Sequence, residues 1–219
     1  MKPRALMILA ILLAAASLTS AADRLGRLGR LDDGLLDPEW LGVVGKGEWR
    51  NPAGFDYLWV KPGFSLEGRT VVLEEWTAPT FLNGERDRDD SRTAMNLSDS
   101  MPGRLQSALS VAGIPSVSRT AGDRQKDLLL TGRIVDCNSG SRALRWMSGS
   151  SVIFGNATWD IKIVDAATGD TVAAVHHRSV SGADSHNLGE KMNLWLTRVF
   201  GPALRSGFDV YNQARPVRE

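Results

Sequence analysis

Two ten-residue stretches near the C-terminal third constrain this chain most. In Asn156 to Asp165, Ala157, Trp159, Ile161 and Ile163 alternate with Thr158, Asp160 and Lys162. That period of two marks a strand with one apolar and one wet face. Ala167-Thr168-Gly169-Asp170 follows as a tight turn, and Thr171 to Val180 returns. The pair reads as an antiparallel hairpin. Asp127 to Cys137 supplies a third strand, with Leu128, Leu130 and Ile134 on one parity and Thr131, Arg133 and Val135 on the other.

Upstream, Phe55 to Val60 is a short aromatic and β-branched run ended by Lys61-Pro62-Gly63, and Arg69 to Trp76 reads as a buried strand around Val71, Val72 and Leu73. Residues 83–92 are almost wholly polar, with charges of both signs, and read as a solvated loop. Leu97, Met101, Leu105, Leu109 and Ala112 then form one helical stripe, with Asp99 or Ser100 as cap, Pro102 in the first turn, and Gly113 and Pro115 as the stop. Leu188, Met192, Trp195, Leu196 and Val199 form a second stripe, continued by Leu204, Phe208 and Tyr211; Gly201-Pro202 predicts a break or kink. The expected fold is α+β: a mainly antiparallel sheet of about five strands, two helices packed on one face, and a Gly-rich arm in front. Trp159, Ile161, Ile163, Leu128, Leu130 and Leu105 are expected to share its core.

The first 22 residues read as an address. Lys2 and Arg4 precede the unbroken apolar run Leu6 to Ala16, too short for about 20 residues of membrane span. Small residues follow, with Ser20 and Ala22 at the −3 and −1 places, so a secretory signal cleaved after Ala22 is expected. No cysteine follows the run, so no lipid anchor and no transmembrane segment are expected on the mature chain, which is placed in the periplasm or secreted. Residues 23–54 form a Gly- and Pro-rich N-terminal arm, 55–213 a single domain and 214–219 a C-terminal tail. Trp40 and Trp49 argue that the arm is pinned, either to the domain or to a partner.

The charge balance, 26 basic against 25 acidic residues, leaves no nucleic-acid footprint. The single cysteine excludes an intrachain disulfide and any multi-cysteine metal site. Cys137, beside Asp136, is expected to be a buried hydrophobe, since a neighbouring carboxylate raises a thiol pKa. Adjacent His176 and His177 point to opposite faces of one strand and do not share a metal; His186 lies on the next loop. The nucleophile elbow, the phosphate loop, the dinucleotide glycine motif and the zinc-protease helix are all missing from the sequence. Neither a cofactor nor a metal is expected.

The stretch Gly140 to Gly149 is the richest in recognition chemistry. Arg142, Arg145 and Trp146 stand together between glycines on a connection that projects from the sheet. Arginine forks and a tryptophan face suit an anion, a sugar or a partner surface, and both residue types are enriched in binding hot spots. The alternative is an edge hairpin whose arginines pair with nearby carboxylates.

Three stretches resemble the bacterial envelope family known as domain of unknown function 4410, many of whose members are lipoproteins: Phe55 to Gly63; Asp127 to Ile134 leading into Gly140-Ser141-Arg142 and Arg145; and Val164 to Asp170. The resemblance spans roughly residues 55–200. It implies an exported accessory protein and carries no catalytic residue; this chain departs from it by lacking the lipidated cysteine. The reading is therefore a non-enzymatic exported protein that binds or scaffolds another envelope protein or cell-wall component. The alternative, a periplasmic hydrolase acting on cell-wall material, requires Asp136, Asp160, Asp165 and His176 to converge in one cleft.

Overall fold

A computed structural model describes residues 35–44, 48–82, 84, 86–114, 117–139, 155–181 and 188–217. In chain order it contains a short helix α1 (Pro38–Leu41), strands β1 (Tyr57–Val60) and β2 (Thr70–Leu73), and helix α2 (Arg88–Val111). Strands β3 (Val117–Ser118), β4 (Asp127–Asn138), β5 (Asn156–Asp165) and β6 (Thr171–Val180) follow. Helix α3 (Leu188–Trp195), a π-helical turn (Leu196–Phe200), α4 (Gly201–Arg205) and α5 (Asp209–Gln213) come last.

The expected hairpin forms the centre of the sheet. Its turn closes through the Gly169 N–H to the Asp165 carbonyl at 2.8 Å, with Gly169 at φ +74°, a left-handed conformation that favours glycine. Strand order is β1-β6-β5-β4-β2-β3. The β1–β6, β6–β5 and β5–β4 pairs are antiparallel, whereas β2 runs parallel to both β4 and β3. The sheet is thus mixed and has six strands rather than about five. The added strand, β3, has only two residues and takes its identity from pairing with β2 across the whole of α2, so no local pattern announces it.

One face carries the main core. Leu128 and Leu130 of β4, Trp159, Ile161 and Ile163 of β5, and Leu105 of α2 are all buried in it, as expected. Met192, Trp195, Leu196, Phe200 and Leu204 close the core from the C-terminal helical stretch.

Three local expectations change. Helix α2 begins at Arg88, capped by Asp87, whose carboxylate accepts from the Asp90 N–H at 2.8 Å. The charged run is therefore partly the helix's first turns, and Pro102 lies in the interior, not at the start. Cap chemistry, and not apolar spacing, sets this end. At Gly201-Pro202 the chain does not break. The preceding π-helical turn leads directly into α4, and a turn comes later at Gly207 and Phe208, both in the left-handed region. Finally, the second face of β5 is not wet: Thr158 and Asp160 are fully buried. The expected two helices on one face are accompanied by α1, which lies against the opposite face, where Trp40 reaches Arg133 and Lys162.

Candidate functional site

Sheet register sets the polar groups of that second face in a row. Arg133 stands opposite Asp160, Asp160 opposite His176, and His176 opposite Tyr57, across four strands. The Arg133 Nε and Nη2 atoms lie 3.0 and 2.9 Å from Asp160 Oδ2. The other carboxylate oxygen of Asp160 meets His176 Nδ1. Asp160 and His176 are 0% exposed and Arg133 is 4% exposed, so these polar groups are held by one another and not by solvent.

The arm completes this network. Residues 35–44 fold as a small capped unit: Asp37 accepts from the Trp40 N–H at 3.1 Å, and Gly42, at φ +72°, ends α1 by donating to the Glu39 carbonyl. Asp37 Oδ2 receives Arg133 Nη2 at 2.7 Å. The Trp40 ring lies 4.2 Å from the Arg133 guanidinium carbon and 4.1 Å from Lys162 Nζ, and Lys162 also donates to the Trp40 carbonyl at 3.0 Å. Leu41 and Val43 bury against Trp59 and Ala174. Burial works against the Asp37 charge, but Arg133 and the cap N–H groups outweigh it and hold the carboxyl below its usual range. Burial first, and Arg133 second, hold the Lys162 ammonium below its usual range.

The four groups whose convergence would mark a hydrolase cleft do not meet. Only Asp160 and His176 touch. Asp136 pairs with Arg86, and Asp165 pairs with Arg69 at 2.9 Å. The neighbouring histidine behaves as the alternation demands: His177 faces the main core, stacks on Trp195 at 4.4 Å, and places Nδ1 2.8 Å from Asp56 Oδ2. Cys137 is fully buried, and burial, followed by the charges of Asp90 and Asp136, pushes its thiol up to about 12. Among the described residues, no group of three or more His, Cys, Asp or Glu is placed to hold a metal ion. No helix among them is long and apolar enough to cross a membrane.

Arg142, Arg145 and Trp146 lie outside the described residues, as do His186 and the leader 1–22. The stems of the connection that carries the three are described. Ser139 donates from its N–H and hydroxyl to Asp90 Oδ1 at 2.6 and 2.7 Å, fixing one stem to α2. Ser181 accepts from the Gly155 N–H at 2.8 Å and donates to the Gly155 carbonyl at 3.0 Å, fixing the other to β6. At the opposite end of the sheet, three open grooves of about 270–340 Å³ share Lys61 and Pro62 of the β1–β2 turn. In the sequence, Asp160 and His176 enter as site residues only through the hydrolase alternative and Arg133 only as a strand residue, although the signal of the row is visible there: polar residues on one parity of otherwise apolar strands.

No curated protein matches the chain in sequence. Among solved structures, it is similar to the PelC dodecamer from Paraburkholderia phytofirmans, at 14% identity over 66% of this chain and 95% of that one, with a TM-score of 0.45. It is also similar to protein XCC0632 from Xanthomonas campestris, of family DUF330, at 14% identity over 70% and 92%, TM-score 0.38. A third is the neuraminyllactose-binding hemagglutinin homolog from Helicobacter pylori, at 12% identity over 63% and 79%, TM-score 0.28. The family model for the domain of unknown function DUF4410 matches residues 62–184, from the β1–β2 turn to just past β6, and the chain belongs to that family.

Proposed function

We propose that this chain is an exported, non-catalytic envelope protein that binds or scaffolds another envelope protein or cell-wall component, using Arg142, Arg145 and Trp146. The observation that carries the reading is the double clamp on the residues that flank the 140–154 connection. Asp90 grips Ser139 and Ser181 grips Gly155, so both stems of the 140–154 connection leave from fixed points. A rigid base lowers the entropy cost of presenting a recognition loop. The closed Arg133–Asp160–His176 row supports the non-catalytic part, because its charges are spent on each other and on the arm.

One observation favours a second reading, a periplasmic hydrolase acting on cell-wall material. Asp56 and His177 form a carboxylate–imidazole pair whose side chains keep 18% and 12% exposure. Incubating the purified chain with isolated sacculi separates the two. Binding in the pellet without release of soluble fragments supports the first reading. Fragment release that disappears in His177→Ala supports the second. The address has its own measurement: intact mass of periplasmic material should place the N-terminus at Asp23 or one residue earlier, and a retained Met1 in a membrane fraction contradicts it.

A further inference from the structure

We propose that residues 35–44 are an exchangeable strap, and that the sheet face around Arg133 and Lys162 also receives this strap from a second copy of the chain. The inference stands on the geometry of the arm and is independent of the function proposed above.

Four observations carry it. First, the strap's backbone hydrogen bonds close within itself: Leu41 donates to the Asp37 carbonyl, Gly42 to Glu39 and Val43 to Pro38, at 3.0–3.1 Å. A four-residue helix is held by the face it docks on, and an identical face on a second copy holds it equally well. Second, among the described residues its hold on the sheet is made by side chains, with the Trp40 carbonyl as the one backbone group engaged, by Lys162. No strand ladder ties it to its own domain. Third, the receiving charge is built without the strap. Arg133 is held by Asp160, and Asp160 by His176, all within β4, β5 and β6. The strap supplies the complement: one carboxylate, one aromatic face and one carbonyl for two cations. Fourth, the tether is short and rich in glycine. Gly45-Lys46-Gly47 separates exposed Val44 from Glu48, where the chain is fixed again: the Glu48 carbonyl accepts from the Tyr211 hydroxyl, the Trp49 carbonyl from the Val217 N–H, and Arg50 pairs with Leu58 and Pro216.

A unit with these properties can leave one domain and dock on another while keeping every contact, because the second copy presents the same face. Exchange of an identical element is a low-cost route to a dimer. The tether raises the effective concentration of the chain's own strap to the order of millimolar, so the closed monomer dominates in dilute solution and exchange grows with concentration.

The test uses a contact across the strap boundary. A Cβ placed at Gly42 stands 3.4 Å from Thr171 Cβ, close to the spacing of about 3.5–4.5 Å that a disulfide spans. In the full chain with Cys137→Ser, Gly42→Cys and Thr171→Cys are made separately, one carrying a mass tag. The two are mixed at high concentration and oxidised. Position 171 is 6% exposed, covered by the strap, so its new thiol meets the one introduced at position 42 of the other chain only when straps have exchanged. The expected result is a tagged–untagged disulfide dimer that increases at least tenfold from micromolar to near-millimolar protein. The double variant Gly42→Cys/Thr171→Cys, kept dilute, checks the geometry by closing within one chain. If it closes and the mixed singles give no heterodimer, the proposal is overturned. Gly42 has a left-handed backbone, so a side chain is strained there and closure can fail. The unmodified chain then decides by light scattering: a reversible dimer at high concentration supports exchange, and a monomer throughout refutes it.

Discussion

Replacing Asp160 with alanine is the sharpest perturbation of the buried row. It strands Arg133, 4% exposed, with Asp37 as its remaining carboxylate among the described residues, and removes the partner of His176, which is 0% exposed and whose Nε2 has none among the described residues. Breaking a buried pair by removing one member costs about 3–5 kcal/mol, because the surviving charge stays out of water. Asp37→Ala acts on the same guanidinium from the arm side, but the Asp37 side chain is 29% exposed. It loses a cap worth about 0.5–2 kcal/mol and an ion pair that solvent partly screens. The first variant should therefore cost more than the second. Urea unfolding followed by tryptophan fluorescence measures both. With a slope of about 2 kcal/mol/M, Asp160→Ala should lower the midpoint by about 2 M and Asp37→Ala by about 1 M. An Asp160→Ala midpoint within about 0.5 M of the wild type, or a larger loss from Asp37→Ala, refutes the reasoning that this row organises the second face.

Three further outcomes are expected. Gly132→Ala should destabilise by about 1–3 kcal/mol or more, since its Cβ would stand 2.6 Å from the Asp160 carbonyl oxygen and from the Trp76 ring; an unchanged urea midpoint would show that β4 yields. Asp37 has a lowered folded pKa, so its contribution is present above the unfolded value of about 3.9 and is lost as pH falls through the folded value; the stability gap between wild type and Asp37→Asn should close below that point and stay constant from about pH 5 to 7. Cys137, pushed up to about 12, should ignore a thiol reagent at about pH 8 in the native chain and react fully in urea, and rapid native labelling contradicts its burial.

The sequence made some of this fold legible and hid the rest for physical reasons. Strands β5 and β6 run over the residues expected of them, because the period of two in β5 separates apolar side chains facing the main core from polar ones facing the arm, and a tight turn joins the two strands. The start of α2 escaped because its first turn is polar and is fixed by Asp87, a signal of capping and not of burial. The covered second face escaped for another reason: Asp37 and Arg133 are 96 positions apart, and nothing near Asp160 in the chain says that an arm will cover it. Arg133 between Gly132 and Ile134, Asp160 between Trp159 and Ile161, and His176 after Val175 were nonetheless visible as polar residues in apolar strands. Three such residues on one parity of three paired strands make a buried network, provided something covers them.

The most direct measurement of the central claim is site-specific photo-crosslinking in intact cells, with the reactive group at position 146. The account predicts one discrete adduct with an envelope component. It also predicts that Arg142→Ala with Arg145→Ala abolishes the adduct while leaving the thermal midpoint within about 2 °C of the wild type, the outcome expected of side chains that serve recognition and not the core. An adduct that persists undiminished in the double variant, or the lack of any adduct from a folded and exported chain, contradicts it.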